Sequence, residues 1–399
     1  MGEGMRRSCC HNVVGLSVAV VVGIMVGSTA RAQETIKIGL MLTYSGAFAD
    51  NARQIDNGVQ LYLKQHGDIV AGKKIEIIKR DTTGAAPDIA KRLAQELVTR
   101  DKVDFLAGFV LTPNALAVAD VASEAKVPMV IMNAATSIIT AKSPYVARVS
   151  FTLPQVTVPL AQWAARNGIK QVYLMTSDYG PGRDAAAAFE KSFTAVGGSI
   201  VGAVAMPLQS PDFAAYVQRL SDLHPQAVFL FVPAGQQPTA LMKTLAEQGL
   251  TGSGLKILAT GDVTDDAVLQ GMGDAALNII TAHHYSYAHA SPANKAYIQA
   301  YAAAYGDDIR PNFMSVGGYD GMAAIYRVIE RLKGKIDGAK AMEALKGMRI
   351  ESPRGAIEID AATRDVVQTV YIRRVERVEG KLVNVEFDKV ETVRDPGKQ

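Results

Sequence analysis

Apolar residues recur along the chain with two alternating spacings. Residues 36–42 form a short apolar run typical of a buried strand, and apolar positions within residues 55–63 then share one face of a helix. Residues 74–81 again have the pattern of a strand, and residues 90–98 repeat the helical spacing. The first part of the chain is therefore predicted to run strand, helix, strand, helix.

The same alternation continues through two more strands and begins again after Phe151. The further predicted strands and helices are, in chain order, residues 103–108, 115–124, 127–132, 171–176, 184–196, 199–205, 213–223, 227–232, 236–248 and 255–260. Pro87 and Pro211 mark predicted helix starts, and Gly197-Gly198 and Gly249 mark predicted helix ends. This order predicts an α/β fold with two doubly wound parallel sheets.

The C-terminal part has a different pattern. Residues 292–305 and 312–332 have helical spacing. The segments that follow are rich in β-formers, with turns predicted at residues 360–363 and 379–380, and the predicted strands are residues 355–360, 366–375 and 381–388. The chain has no internal repeat, low-complexity run or long linker, so its two halves are expected to touch closely.

The first residues have the composition of an export signal. Arg6 and Arg7 precede an apolar run over residues 13–26, and Ala30-Arg31-Ala32 places small residues where signal peptidase reads. The sequence therefore predicts a signal peptide over residues 1–32, cleaved after Ala32, and a periplasmic mature protein. The alternative is an uncleaved membrane anchor.

Composition and charge exclude several classes of protein. The 399 residues are 48% hydrophobic and 7% aromatic, which is ordinary for a soluble globular protein of two to three domains. Cleavage removes three of 42 basic and one of 39 acidic residues, so the mature net charge is near +1 and nucleic acid is not expected as a partner. Cys9 and Cys10 are removed with the predicted signal peptide, so the mature chain would contain no cysteine. They precede the apolar run, which argues against a lipoprotein.

Hydroxyl side chains and glycines follow the predicted strands. In parallel sheets small ligands lie at the carboxyl ends of the strands, where loops and helix N-termini offer hydroxyl and N–H groups. Five of the six loops at these ends carry a hydroxyl; the loops are residues 43–48, 109–114, 133–137, 177–182, 233–236 and 261–264. The pattern predicts a small-molecule binding site between the two sheets.

Three stretches, IKIGLMLTYSGAFA, NAATS and SDYGPGRDAAAAF, together with the export signal, resemble the periplasmic solute-binding proteins of ABC importers. The resemblance is to the type I, branched-chain amino acid (Leu/Ile/Val) binding family. It implies a monomer that works with a membrane permease and traps a solute between two lobes joined by a hinge of three crossovers. The lobes implied are residues 34–151 plus 283–349 and residues 152–282 plus 350–399.

The resemblance also implies residues of the site. Thr112, Thr136 and the segment Ala134-Ala135 match the positions that grip the ligand carboxylate through hydroxyls and backbone amides. Tyr179 matches a tyrosine that covers the ligand, and Asp262 matches an acidic residue that pairs with its ammonium group.

The sequence departs from the family pattern at three places. Asn51 and Pro233-Ala234 stand where the family commonly has aromatic residues, and Asp262 is shorter than a glutamate. A branched-chain or related amino acid is the expected solute. An aromatic or branched 2-oxo acid is the alternative.

The alternative for each site residue is that it stabilises its own helix, turn or lobe and does not contact a ligand. Thr112 and Thr136 have the side chains that helix N-caps prefer, and Asp262 is equally typical of a cap or a solvated turn. Tyr179 would then pack on the surface of its lobe.

Catalytic sites are not supported. The segment GPGRD lacks the GxxxxGK[ST] pattern of a phosphate loop, and the chain has no GxSxG elbow. His283 and His284 are adjacent and on a strand would face opposite ways, so a metal shared by these residues and His289 is not expected. The pairs Asp265-Asp266 and Asp307-Asp308 are predicted to face water. We expect neither an enzyme nor a cofactor.

Two other classes of protein, a hydrolase and a sensor or regulator, lack support in the sequence. A secreted hydrolase would need a Ser/His/acid set, and none can be assembled from this sequence. A sensor ectodomain or transcriptional regulator would need a second membrane segment or a DNA-binding headpiece, and neither is recognisable after Ala32.

The signal prediction can be tested directly. Protein purified from the envelope fraction should begin at Gln33, because cleavage is expected after Ala32. N-terminal sequencing provides the measurement, and an intact Met1 start would contradict the prediction.

Overall fold

The structure, a computed structural model, describes Met1 and residues 34–209 and 211–398. The rest of the predicted signal peptide therefore lies outside the described residues. Among the described residues, no helix is both long and apolar enough to cross a membrane.

The first of two sheets in the described part of the chain has six strands in the order β2-β3-β1-β4-β5-β6. All neighbours are parallel except β2 and β3. Its strands are β1 (Thr35–Leu42), β2 (Ile69–Val70), β3 (Lys73–Asp81), β4 (Phe105–Gly108), β5 (Met129–Ile131) and β6 (Val146–Arg148).

Helices cover both faces of the first sheet. Apolar side chains of α2 and α3 pack in one core cluster with β4 and β5, whereas α1 contributes to a different cluster. The helices that follow the strands of this sheet are α1 (Ala49–His66), α2 (Pro87–Glu96), α3 (Thr112–Ala125) and α4 (Ile139–Lys142).

The second sheet has nine strands, with β12-β13-β14-β11-β10-β9-β7-β8 in order and β15 paired to β14. Strands β7 to β11 are mutually parallel, and β12 to β15 add antiparallel pairs. The strands are β7 (Gln171–Ser177), β8 (Ser199–Met206), β9 (Ala227–Phe231), β10 (Lys256–Thr260), β11 (Ile280–His283), β12 (Arg349–Ile350), β13 (Ile357–Ile359), β14 (Val366–Val378) and β15 (Lys381–Val393).

The remaining helices divide between the two sheets. Helices α5 to α8 pack on the second sheet, whereas α10 packs on α1 and α11 contacts β6 of the first. Their bounds are α5 (Leu153–Arg166), α6 (Gly180–Thr194), α7 (Phe213–Leu223), α8 (Gln236–Glu247), α9 (Pro292–Tyr305), α10 (Phe313–Arg331) and α11 (Gly338–Leu345).

This architecture confirms an α/β fold with two parallel-sheet lobes. The C-terminal hairpin was also predicted correctly, with its turn at Glu379-Gly380 between β14 and β15. Pro211 does not start a helix, because α7 begins at Phe213 and Asp212 is its N-cap, whose carboxylate accepts a hydrogen bond from the Ala214 amide at 3.0 Å. The short strand β6 and the helix α5 were not predicted.

The described chain passes between the sheets three times: between β6 and β7, after β11, and between α11 and β12. Arg354, after the third passage, is fully buried and forms an ion pair with Asp320 of α10 at 2.8 Å. Its guanidinium also donates to the carbonyl of Ser150 at 2.8 Å and to that of Val149, both in the first passage. One side chain thus connects two crossovers and a helix of the first lobe.

A second buried arginine has a similar role. Arg148, at the end of β6, forms an ion pair with Asp365 at 3.0 Å, and both side chains are buried. It donates to the carbonyls of Phe151 at 3.1 Å and Thr136 at 2.7 Å. The first crossover is therefore held by hydrogen bonds from its own arginine.

Removing one partner of the Arg354–Asp320 pair should destabilise the fold strongly. Asp320→Ala would leave a buried guanidinium unpaired, and such a loss typically costs about 3–5 kcal/mol in the free energy of unfolding. Urea unfolding followed by circular dichroism measures this. The control is Asp274→Ala, which removes an exposed partner of Arg377 and should change the free energy by less than about 0.5 kcal/mol. Equal losses in the two variants would contradict the prediction.

Candidate functional site

The strand ends of the two sheets face each other across a closed cleft. The cavity at its centre has a volume of 20 Å³. Its lining residues are Asn51, Val110, Leu111, Thr112, Asn133, Ala135, Phe151, Leu153, Tyr179, Pro181, Phe231, Pro233, Ala234, Asp262 and Met314. Six of the eight predicted site residues are in this set, and Ala134 and Thr136 are not.

Thr112 and Thr136 lie together at one end of the cleft. Their hydroxyl oxygens are 3.0 Å apart, and both residues are buried. Thr112 is the first residue of α3, whose N-cap is Leu111 without a side-chain bond, and the N-cap of α4 is Ile138. The two hydroxyls therefore do not serve as helix N-caps.

The backbone of the segment Ala134-Ala135 is partly used within the fold. The Ala134 amide donates to the Phe109 carbonyl at 2.9 Å, so this amide is not free to bind an anion as expected from the sequence. The Ala135 carbonyl accepts from the Leu153 amide at 3.0 Å. Together with the bond from Arg148 to the Thr136 carbonyl, these contacts join the loop to the residues of the first crossover.

The segment TSDYGPGRD brings the second lobe onto this threonine pair. Strand β7 ends at Ser177 and α6 begins at Gly180, where a Cβ atom would lie 2.8 Å from the Thr136 hydroxyl. A Cβ at Gly182 would lie 1.7 Å from the Ser177 carbonyl oxygen. Gly180 is required because the two lobes approach closely there, and Gly182 is required because the backbone of the turn folds back on Ser177.

Aromatic rings form a wall of the cavity. Tyr179 and Phe231 are stacked, with ring centroids 6.1 Å apart and planes at 18°. Phe151 also lines the space. Tyr179 is buried and faces the cavity, so it does not pack on the outer surface of its lobe. Phe231 was not predicted as a site residue, although its position as the last residue of β9 places it at the edge of the sheet that faces the cleft.

Asp262 is the acidic residue of the cavity. It is 6% exposed and accepts a hydrogen bond from the Thr260 hydroxyl at 2.9 Å, so it is not a solvated turn residue. Burial raises the pKa of Asp262 to about 7, against the opposing effect of the Thr260 hydrogen bond. Burial and the nearby Asp262 carboxylate also raise the pKa of Tyr179. Near neutral pH the site therefore offers two uncharged O–H groups, the phenol of Tyr179 and the protonated carboxyl of Asp262.

Asp265 and Asp266 were predicted to face water, and this prediction is wrong. Both are buried. Asp265 accepts two hydrogen bonds from the Asn312 amide group, at 3.0 and 2.9 Å, and Asn312 also caps α10 by exchanging hydrogen bonds with Ser315. Asp266 accepts from the Asn384 side chain at 2.8 Å. The loop after β10 is thus buried by contacts with the first lobe and with β15.

Asn51 closes the cavity on the side of α1. Its amide group donates to the Ala234 carbonyl at 2.9 Å, so a side chain of the first lobe bonds the backbone of the second. Pro233 precedes this carbonyl and also lines the cavity. Two of the three departures from the family pattern therefore lie in contact with each other.

His283 and His284 were predicted to face opposite ways, and this prediction is wrong. The rings of His283 and His284 are 4.4 Å apart, and both contact Phe151 and Phe313, because His284 follows the end of β11 and leaves the sheet. Burial lowers the pKa of each. Within the described residues, no three or more His, Cys, Asp or Glu side chains are grouped as a metal site.

Known proteins resemble the chain over most of its length. A family model described as periplasmic binding protein matches residues 35–381. A curated relative, Leu/Ile/Val-binding protein homolog 6 of Brucella melitensis, is 42% identical over 371 residues, covering 93% of this chain and 95% of the relative.

Two solved structures are similar in fold and sequence. One is the solute-binding protein of an ABC transporter from Rhodopseudomonas palustris BisB5 in complex with 3,4-dihydroxybenzoic acid, with a TM-score of 0.89 and 53% identity over 92% of this chain and 99% of that one. The other, from R. palustris HaA2, is in complex with p-hydroxybenzoic acid, with a TM-score of 0.89 and 44% identity over 92% of this chain and 100% of that one.

The buried acids should make stability depend on pH. Burial raises the pKa of Asp265 to about 7 from an ordinary value of 3.8, so between these values the folded chain binds a proton that the unfolded chain releases. The stabilisation is present at pH below 3.8 and is lost as the pH rises through about 7, and Asp262 acts in the same direction. Asp265→Asn keeps an acceptor for Asn312 and should raise Tm at pH 8 but much less at pH 5.

Thermal unfolding of the ligand-free protein at both pH values measures this difference. Asp308→Asn, at an exposed position, is the control and should leave Tm unchanged. An equal rise of Tm at the two pH values, or no rise at pH 8, would show that Asp265 does not titrate as described.

Proposed function

The chain belongs to the type I periplasmic binding proteins, in the branched-chain amino acid (Leu/Ile/Val) binding family, and we propose that it captures aromatic carboxylates for an ABC importer. The family is extracytoplasmic, so the protein would deliver its solute to a membrane permease. The observation that carries the proposal is the stacked pair Tyr179 and Phe231, with Phe151, beside a threonine pair in a closed cleft.

The threonine end suits the carboxylate. Thr112 begins α3, so its hydroxyl lies beside the free N–H groups of a helix N-terminus, and Thr136 adds a second hydroxyl. Hydroxyls and helix N-terminal amides bind an anion without a buried countercharge. We propose Thr112, Thr136 and the backbone at Ala135 as the carboxylate grip.

The aromatic wall suits a ring. Aromatic pairs favour offset stacking or edge contacts, which contribute about 0.5–1.5 kcal/mol beyond burial. The cavity of 20 Å³ is smaller than the cavities of about 150 Å³ that hold benzene. We therefore propose that the lobes lie further apart around a bound solute than in this structure, through bending at the crossovers.

The far end suits a ring hydroxyl. Asp262, with its pKa near 7, and Tyr179 can donate to or accept from a phenol without a charged partner. The similar proteins in complex with 3,4-dihydroxybenzoic and p-hydroxybenzoic acids support this assignment.

A branched-chain amino acid is the second candidate. The curated relative is named a Leu/Ile/Val-binding protein homolog, and an ionised Asp262 could pair with an ammonium group. Two observations oppose this candidate. Burial of Asp262 disfavours its ionised form, and Asn51 and Pro233 line the cavity where the Leu/Ile/Val-binding family commonly has aromatic residues.

Calorimetry with 4-hydroxybenzoate, leucine and the 2-oxo analogue of leucine distinguishes the two candidates. The wild type should bind 4-hydroxybenzoate most tightly. Thr112→Val removes a hydrogen bond to a charged group, which typically costs about 1.5–3 kcal/mol, or roughly ten- to a hundredfold in affinity. Asp262→Asn keeps a hydrogen-bonding group and should change the affinity for 4-hydroxybenzoate much less.

Thr99→Val is the matched control, because Thr99 is exposed on the outer face of the first lobe and should leave every affinity unchanged. Tight binding of leucine without binding of the aromatic acid, together with a large loss of leucine affinity in Asp262→Asn, would establish the amino-acid assignment instead.

A further inference from the structure

A second cavity lies directly outside the central one. Its volume is 240 Å³, and we call it the vestibule. It lies between α1, the start of α10 and the loops that follow β9 and β10. The residues that line it are Asp50, Asn51, Arg53, Gln54, Asn57, Gly235, Asp265, Ala267, Val268, Ile309 and Asn312.

Asn51 separates the two cavities. Among the described residues it is the one that lines both of them. Its side chain is 5% exposed, and its amide group donates to the Ala234 carbonyl at 2.9 Å. The partition is therefore one carboxamide of the first lobe bonded to one carbonyl of the second.

The backbone opposite Asn51 is shaped for this contact. Gly235 has a φ of 120°, a backbone conformation that residues with a side chain rarely adopt. A Cβ atom there would lie 3.4 Å from the side-chain oxygen Oδ1 of Asn51. The Asn51 carboxamide is thus in van der Waals contact with the position that a side chain at residue 235 would begin to fill.

The chemistry of the cavities differs on the two sides of Asn51. The central cavity has aromatic and aliphatic walls with a few hydroxyl and carboxyl groups. The vestibule is lined mostly by polar side chains, and Arg53 and Asp50 form an exposed ion pair at 3.0 Å on its rim. A ligand group that reached from the central cavity into the vestibule would pass from an apolar to a polar environment.

We infer that Asn51 sets the maximum length of the solute by separating the central cavity from the vestibule. The bulk of the Asn51 side chain forms this barrier, and it does so whether or not the bond to Ala234 is kept when the lobes move apart around a solute. A solute held by the threonine pair must then end inside the central cavity. Without the Asn51 carboxamide the two cavities join, and the site accepts longer aromatic carboxylates whose polar far end reaches into the vestibule. The inference rests on the proposed function and names the residue that limits its range.

The test compares two acids that differ in length but share their end groups. 4-Hydroxybenzoate is the short probe, and 4-hydroxycinnamate, which has two more carbons between ring and carboxylate, is the long one. By calorimetry the wild type should bind the short acid at least tenfold more tightly. Asn51→Ala should shift the ratio of affinities at least tenfold towards the long acid.

Two further variants separate the length limit from general damage. Asn51→Leu restores bulk without the hydrogen bond and should restore the preference for the short acid. Asn57→Ala removes another asparagine of α1, which lines the vestibule without touching the central cavity, and should leave the ratio as in the wild type.

Each outcome decides a separate point. A wild type that binds both acids equally, or an Asn51→Ala variant that binds the short acid with an unchanged ratio, overturns the length limit. If the wild type binds leucine and neither aromatic acid, the proposed function fails, and the same comparison between leucine and the longer homoleucine decides the role of Asn51. Binding of none of the four overturns both.

Discussion

The structure depends on satisfying the polar backbone where the chain crosses between its two lobes. A buried carbonyl without a hydrogen bond is costly, and loop segments have no neighbouring strand to supply one. Arg148 and Arg354 meet this demand by donating to carbonyls of the crossover segments, and Asp365 and Asp320 balance their charges. Buried guanidinium groups suit the task because each carries five donors in a fixed plane.

The same hydrogen bonds extend from the hinge to the site. Arg148 bonds the carbonyl of Thr136, whose hydroxyl lies 3.0 Å from that of Thr112. The threonine pair is thus positioned by the hinge itself, and the second lobe contacts it at Gly180, where a larger residue would not fit. A change in the crossovers would therefore also move the threonine hydroxyls of the proposed carboxylate grip.

Burial of acidic residues between the lobes is the second constraint on the site. Asp262 and Asp265 lie in one loop, and burial raises the pKa of each to about 7. Asp265 is satisfied by Asn312, the cap of α10, whereas Asp262 has the Thr260 hydroxyl and faces the cavity. Similar residues three positions apart therefore have different roles: one joins the lobes and the other is available to a solute.

The sequence alone determined the alternation of strands and helices, the six loops at the strand ends and, through its resemblance to a known family, six of the fifteen residues that line the central cavity. These features are local, since apolar spacing sets the elements and a strand's end sets where its loop lies. Thr112, Tyr179 and Asp262 lie in these loops, and the resemblance to the family assigned them to the site. Only the tertiary structure decided that the Ala134 amide is already bonded, that Asp265 and Asp266 are buried, and that Phe231 and Phe151 form an aromatic wall. Burial and side-chain contacts between lobes depend on how distant segments dock, and no local pattern carries that information.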